Sequence, residues 1–142
     1  KNGTVLIPTL MAFQGVTERL GKGIYTPVVE EKIRAVAETA RVFMGKAMRW
    51  GVPIAFGTDA GVFGHGRNAG EFALMVAQGM GHREAFATAT TNAAKVLGME
   101  NEIGRIAPGY SADLIAIDGN PLEDTATLEN VGWVMVRGRV ID

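Results

Sequence analysis

The chain has no cysteine, which excludes disulfides and thiolate metal sites together and fits a reducing compartment, the cytoplasm before any other. It has only two histidines, His65 and His82, and no His-x-His pair, so little is present to build a nitrogen-ligated metal centre. No apolar run reaches the roughly 18 residues needed to cross a bilayer, so no membrane partner is expected. Lysines and arginines total 14 against 15 acidic residues and are scattered; a nucleic-acid partner would require a basic stripe. The N-terminal Lys1-Asn2-Gly3-Thr4 carries no initiator methionine and no signal-peptide cleavage pattern, and reads as the interior of a longer chain whose own targeting is unknown. What is present is globular: 142 residues, 47% hydrophobic and 20% charged, with 19 glycines dispersed as turn formers.

Hydrophobic patterning predicts a parallel α/β order. Thr4 to Leu10 reads as a buried strand with Pro8 near its end, and residues 11–26 as irregular. Thr26-Pro27 opens a helix, with Glu30 and Glu31 favoured by its dipole. Ile33, Ala37, Ala40, Met44, Ala47 and Met48 carry it to about Trp50, and Gly51 stops it. Val52 to Gly57 is a second continuous apolar strand. Asn68-x-x-Glu71 resembles a capping box opening a helix through Gln78, and Arg83 to Leu97 reads as one further helix ended by Gly98. Beyond Gly104 the chain turns β-rich, with a strand over Ala112 to Asp118 and a short helix within 122–130. A hairpin of 131–136 with 139–141 closes around Arg137-Gly138. The division falls at residues 1–102 and 103–142.

The candidate chemistry centres on Pro53-Ile-Ala-Phe-Gly-Thr-Asp-Ala-Gly61. An apolar strand delivering a lone carboxylate to its C-terminal end is how parallel α/β enzymes present a metal ligand or general base. Asp59 is therefore the candidate metal ligand and catalytic base; the alternative is a loop aspartate capping the next element. His65, between Gly64 and Gly66, reads either as a substrate contact or acid–base helper, or as an ordinary surface histidine. His82 at a helix start reads as a solvated terminal residue. Gly57 to Gly66 lacks the Lys-Ser/Thr ending of a phosphate loop, and no Gly-x-Ser-x-Gly occurs, which argues against nucleotide binding and serine hydrolysis. Phe43, Met44, Met48 and Trp50 fall at helical spacing and are read as core.

Four motifs occur in a telling order. These are Gly57-Thr-Asp-Ala-Gly61, the loop His65-Gly-Arg-Asn68 with Glu71, Thr91-Asn-Ala-Ala-Lys-Val-Leu-Gly98, and Gly104-Arg-Ile-Ala-Pro-Gly-Tyr-Ser-Ala-Asp-Leu114. Together they resemble the C-terminal part of the metal-dependent amidohydrolases, in the branch of imidazolonepropionase-like and Xaa-Pro dipeptidase-like enzymes. The resemblance implies an α/β fold: the last strands and helices of a β/α (TIM-like) barrel, followed by a β-rich segment of a composite sandwich domain. It implies that Asp59 binds a divalent metal, zinc before others, and takes a proton from the attacking water. It places His65, Arg67 and Asn68 where the family contacts substrate. The family's other metal ligands have no counterpart in this sequence, which supplies about two of the barrel's eight units. Isolated, the chain is therefore expected to hold metal weakly or not at all.

Two functions follow as expectations. One is part of an amidohydrolase that cleaves an amide bond in a small substrate, a dipeptide or a cyclic amide, with the missing N-terminal part of the same protein as partner. The other is a non-catalytic scaffold that self-associates as a homo-oligomer, since a partial barrel leaves strand edges and helix faces uncovered.

Overall fold

The computed structural model describes residues 3–141. Among them run helices α1 (Leu10–Thr17), α2 (Pro27–Arg49), α3 (Gly70–Ala77), α4 (His82–Thr88) and α5 (Thr91–Val96). Strands β1 (Leu114–Ile117), β2 (Val131–Val136) and β3 (Arg139–Ile141) follow, with a 3₁₀ turn at Thr125–Glu129 between the first two.

The two segments read as parallel barrel strands meet at a single parallel bridge, Leu6 with Ile54. The Leu6 amide donates to the Pro53 carbonyl at 2.9 Å, and the Ala55 amide donates to the Leu6 carbonyl at 3.0 Å. The next rung would need an amide at Pro8, which has none, so the ladder ends there. On its other side the Ile54 segment is held by helices instead of a strand. The Phe56 amide donates to the Thr88 carbonyl at 3.0 Å, and Asn92 Nδ2 to the Ile54 carbonyl at 3.0 Å.

That second contact explains why Arg83 to Leu97 is two helices and not the one expected. In an unbroken helix the Thr88 carbonyl would bond the amide four residues on; here it turns to Phe56. Thr88 and Thr90 also bond back to the carbonyls of Ala85 and Phe86, at 2.6 and 3.1 Å, which loosens a helix locally. Helix α2 matches its expected span. Pro27 sits in its first turn and Gly51 follows its end at φ 65°. Helix α1 lies where irregular chain was expected, and its cause is non-local, as described below.

The core sits where these helices close over the Ile54 segment. Leu10, Met44, Ile54, Phe72, Met75, Met80 and Ala85 form one buried cluster, joined by Leu128 from the 3₁₀ turn. Phe56 and Phe72 stack with ring centroids 4.4 Å apart and planes tilted by 33°. The tail is an antiparallel sheet in the order β1-β2-β3. Leu114 pairs with Met135 and Val134 with Ile141, and a register shift falls at Ala116/Ile117. Arg137 and Gly138 both have positive φ, the geometry of a tight two-residue hairpin turn. The Arg137 amide donates to Asp113 Oδ1 at 2.8 Å, and this contact holds the Asp113 carboxyl below its ordinary range. No helix among the described residues is long and apolar enough to cross a membrane.

Candidate functional site

The parallel bridge sets two chain ends side by side, and each leaves through a residue in the left-handed region. Thr9 has φ 48° and Asp59 has φ 49°. That conformation costs a residue with a Cβ roughly 1–2 kcal/mol, although aspartate tolerates it better than most. Both segments thus turn sharply just beyond the bridge, and Asp59 stands at one of these turns. Just before it, Gly57 admits the close approach of Ile7: a Cβ at this position would collide with the Ile7 side chain.

Asp59 is exposed on this turn. Thr58, beside it, donates its hydroxyl to Asn68 Oδ1 at 2.9 Å. Asn68 is half-buried, and with its oxygen engaged it presents its amide N–H groups as the half free to reach a ligand. Arg67 is exposed and makes a two-pronged pair with Glu18 at the end of α1, at 2.9 and 2.7 Å. That guanidinium holds the Glu18 carboxyl down at about 2, and the carboxylate in turn raises Arg67. His65 is exposed at the loop's outer end. The four residues singled out in the sequence thus lie on one loop running from the Ile54 segment to α3. Two of them, Arg67 and Asn68, are already bonded to protein.

Glu71, read from the sequence as part of a capping box for its own helix, has a different role in the structure. Its side chain is fully buried and accepts the amide of Leu10 at 2.9 Å and that of Met11 at 2.7 Å. These are the first two residues of α1, whose unpaired amides would otherwise be orphaned. The Asn68-Glu71 pair was expected to cap its own helix. Instead α3 begins at Gly70 without a side-chain cap, and Glu71 caps a different helix sixty residues earlier. Burial pushes the Glu71 carboxyl above its ordinary value, against the pull of the two amide donors. The capping-box spacing Asn68-x-x-Glu71 was the signal in the sequence, and it pointed to the wrong helix.

His82 is likewise less free than expected. It is half-buried, and its Nδ1 accepts the amide of Thr125 at 3.2 Å, tying α4 to the 3₁₀ turn of the tail.

Among the described residues, two grooves lie away from Asp59. One, of about 580 Å³, lies between α1, α2 and α3. The other, of about 640 Å³, lies between α4, α5 and the tail and is lined by Phe72, Phe86, Ile103 and Leu114 among others. A catalytic zinc takes three protein ligands with water in the fourth place. Among the described residues no three His, Cys, Asp or Glu side chains come together in a metal-holding group. The chain's own residues therefore do not fit a complete metal centre, and Asp59 is at most a single ligand.

The sequence profile of the amidohydrolase family matches residues 19–141. The solved structure of a Xaa-Pro dipeptidase with methionine bound in its active site superposes on 99% of this chain, with a TM-score of 0.93 and 42% identity. This chain corresponds to 35% of that structure. The ochratoxinase of Aspergillus niger is 37% identical over 94 residues, 66% of this chain and 19% of the fungal protein. A 5-methylthioadenosine/S-adenosylhomocysteine deaminase of Symbiobacterium thermophilum is 36% identical over 110 residues, 69% of this chain and 24% of the deaminase. The chain thus spans about a fifth to a third of the length of the proteins it matches. A family profile matched over residues 19–141 means that this chain belongs to the amidohydrolase family, whose members are generally metal-dependent.

Proposed function

We propose that this chain is the C-terminal part of a metal-dependent amidohydrolase that cleaves an amide bond in a small substrate, a dipeptide before a cyclic amide. The observation that carries this reading is Asp59, an exposed carboxylate held at φ 49° where the paired Leu6 and Ile54 segments end. The 42% identity to a Xaa-Pro dipeptidase over nearly the whole chain supports the choice of a dipeptide. Asp59 accepts the proton of the attacking water. A positioned base of this kind contributes roughly 10²–10⁴-fold to such a step. His65 and the free amide of Asn68 orient the substrate. Arg67, already anchored by Glu18, offers its remaining N–H donors to a substrate carboxylate.

The divalent metal, zinc before others, belongs to the complete site. Asp59 supplies one ligand, and the remaining ligands come from the rest of the same protein. The lack of cysteine supports a cytoplasmic setting. Hydrolysis of a panel of Xaa-Pro and other dipeptides by the longer protein of which this chain would be the C-terminal part, and by its Asp59→Asn variant, tests the proposal. The expected outcome is a loss of at least about a hundredfold in turnover; unchanged turnover excludes Asp59 as the base.

One observation favours the second reading, a self-associating scaffold. Val29, Val36 and Phe43 on α2 and Trp50 at its C-terminal cap recur every seven residues and are all exposed, Trp50 by 71%. A seven-residue apolar stripe is the pattern of a helix that packs on another. Light scattering decides: a monodisperse monomer removes this reading.

A further inference from the structure

The turn at residues 67–71 reaches both ends of α1 and the residue next to Asp59. Arg67 reaches the C-terminal end of α1 through Glu18. Asn68 takes the hydroxyl of Thr58, next to Asp59. Glu71 takes the two amides that begin α1, directly after Thr9. The turn is closed on itself by the Gly70 and Glu71 amides, which donate to the Arg67 and Asn68 carbonyls, each at 3.1 Å. Helix α1 also lies close against the loop. A Cβ on Gly15 would stand 3.0 Å from Phe63 Cβ and 3.1 Å from the Val62 carbonyl.

These contacts differ in how much each can fix. The Arg67–Glu18 pair is exposed and screened by solvent, which makes it a weak restraint. Glu71 is wholly buried, and its two oxygens meet two backbone donors that have no alternative partner in the helix. A buried carboxylate so bonded has one position. Moving it leaves two amides of α1 unpaired.

We infer that Glu71 is the positioning residue of the Asp59 site: by gripping the start of α1 it fixes the turn through which Asn68 holds Thr58, and so sets where Asp59 stands. The functional meaning of this inference rests on the reading of Asp59 proposed above, while the mechanical coupling does not. Glu71 touches no substrate and acts only through Asn68 and Thr58. Glutamine in its place has one acceptor for two donors, and its NH₂ group would face an N–H, so the grip is halved at nearly constant volume.

The test is NMR of the isotope-labelled 142-residue chain and of Glu71→Gln. The expected result is a displaced Asp59 carboxyl signal and at least tenfold faster amide exchange over residues 60–66, with the signals of β2 and β3 unmoved. Asp59 and residues 60–66 unmoved, with changes confined to Leu10 and Met11, overturns the inference and reduces Glu71 to a helix cap. Should Glu71→Gln lose its β2–β3 signals, Thr58→Val cuts the same chain of contacts at its other end without burying a new polar group. Faster exchange over 60–66 with Leu10 and Met11 still protected then supports the coupling, and unchanged exchange overturns it. Manganese added to the wild-type chain separates this inference from the functional reading. Failure to broaden the Asp59 signals counts against the metal role of Asp59, while the displacement in Glu71→Gln still supports the coupling.

Discussion

The loop that carries Asp59 is tied down by contacts between residues far apart in the chain: Glu71 to Leu10 and Met11, Arg67 to Glu18, Asn92 to Ile54. The tail sheet is held mainly by its own neighbours, through the β1–β2 and β2–β3 ladders and the Asp113–Arg137 contact. Its strands keep Ile115, Val131, Val136 and Ile141 exposed, and it meets the helical body chiefly through Thr125 and Leu128, the buried residues of the 3₁₀ turn. Both regions contain turns with positive φ, but they use them differently. At Arg137-Gly138 the turn reverses a hairpin; at Asp59 it lifts a carboxylate into solvent. A site needs a defined position more than it needs stability, and long-range polar contacts supply the first at modest gain in the second.

Breaking the shared core should hurt most. Met75 is fully buried among the helices, so Met75→Ala is expected to cost about 2–5 kcal/mol in a denaturant titration. The Asp59 loop and the tail should lose protection together, because Leu128 belongs to the same cluster. A loss confined to the helices would mean that the tail folds by itself.

A smaller effect is expected from acid. The Glu18 carboxyl is lowered in the folded chain from 4.5 to about 2, chiefly by its hydrogen bonds to Arg67. Its contribution is therefore present above pH 4.5 and disappears as pH falls through about 2. Glu18→Gln should flatten the acid limb of stability in that window, with the largest change in amide exchange at the 61–68 loop. Glu71 works in the opposite sense. Its carboxyl is raised in the folded chain, so its ionisation lowers stability as pH climbs from 4.5 through its folded value. The two limbs are separable by comparing Glu18→Gln with the wild type. The smallest effect belongs to the tail surface: Ile106 is 89% exposed, and Ile106→Ser should change stability by no more than about 0.5 kcal/mol. A larger loss would show that this apolar surface is covered in solution.

The legible parts of the sequence were those set by local chemistry. Pro27 and Gly51 bracketed α2, and Arg137-Gly138 marked the hairpin. The apolar run ending in Gly57-Thr-Asp marked the candidate site, and the ordered motifs marked the family. What could not be read was set by partners distant in sequence. Helix α1 contains Gly15 and has no side-chain cap of its own; its cap arrives from Glu71. The break between α4 and α5 depends on where the Thr88 carbonyl points, toward Phe56. The two expected strands shrank to one bridge because Pro8 cannot supply the next amide. His82 was read as solvated because nothing near it in sequence announces Thr125.

The most direct test of Asp59 as a single metal ligand in an otherwise incomplete centre is a zinc titration of the purified chain by calorimetry, alongside Asp59→Asn. The account predicts weak binding that does not survive dialysis and disappears in the variant. One zinc ion held tightly per chain, or binding unaltered by Asp59→Asn, would contradict it.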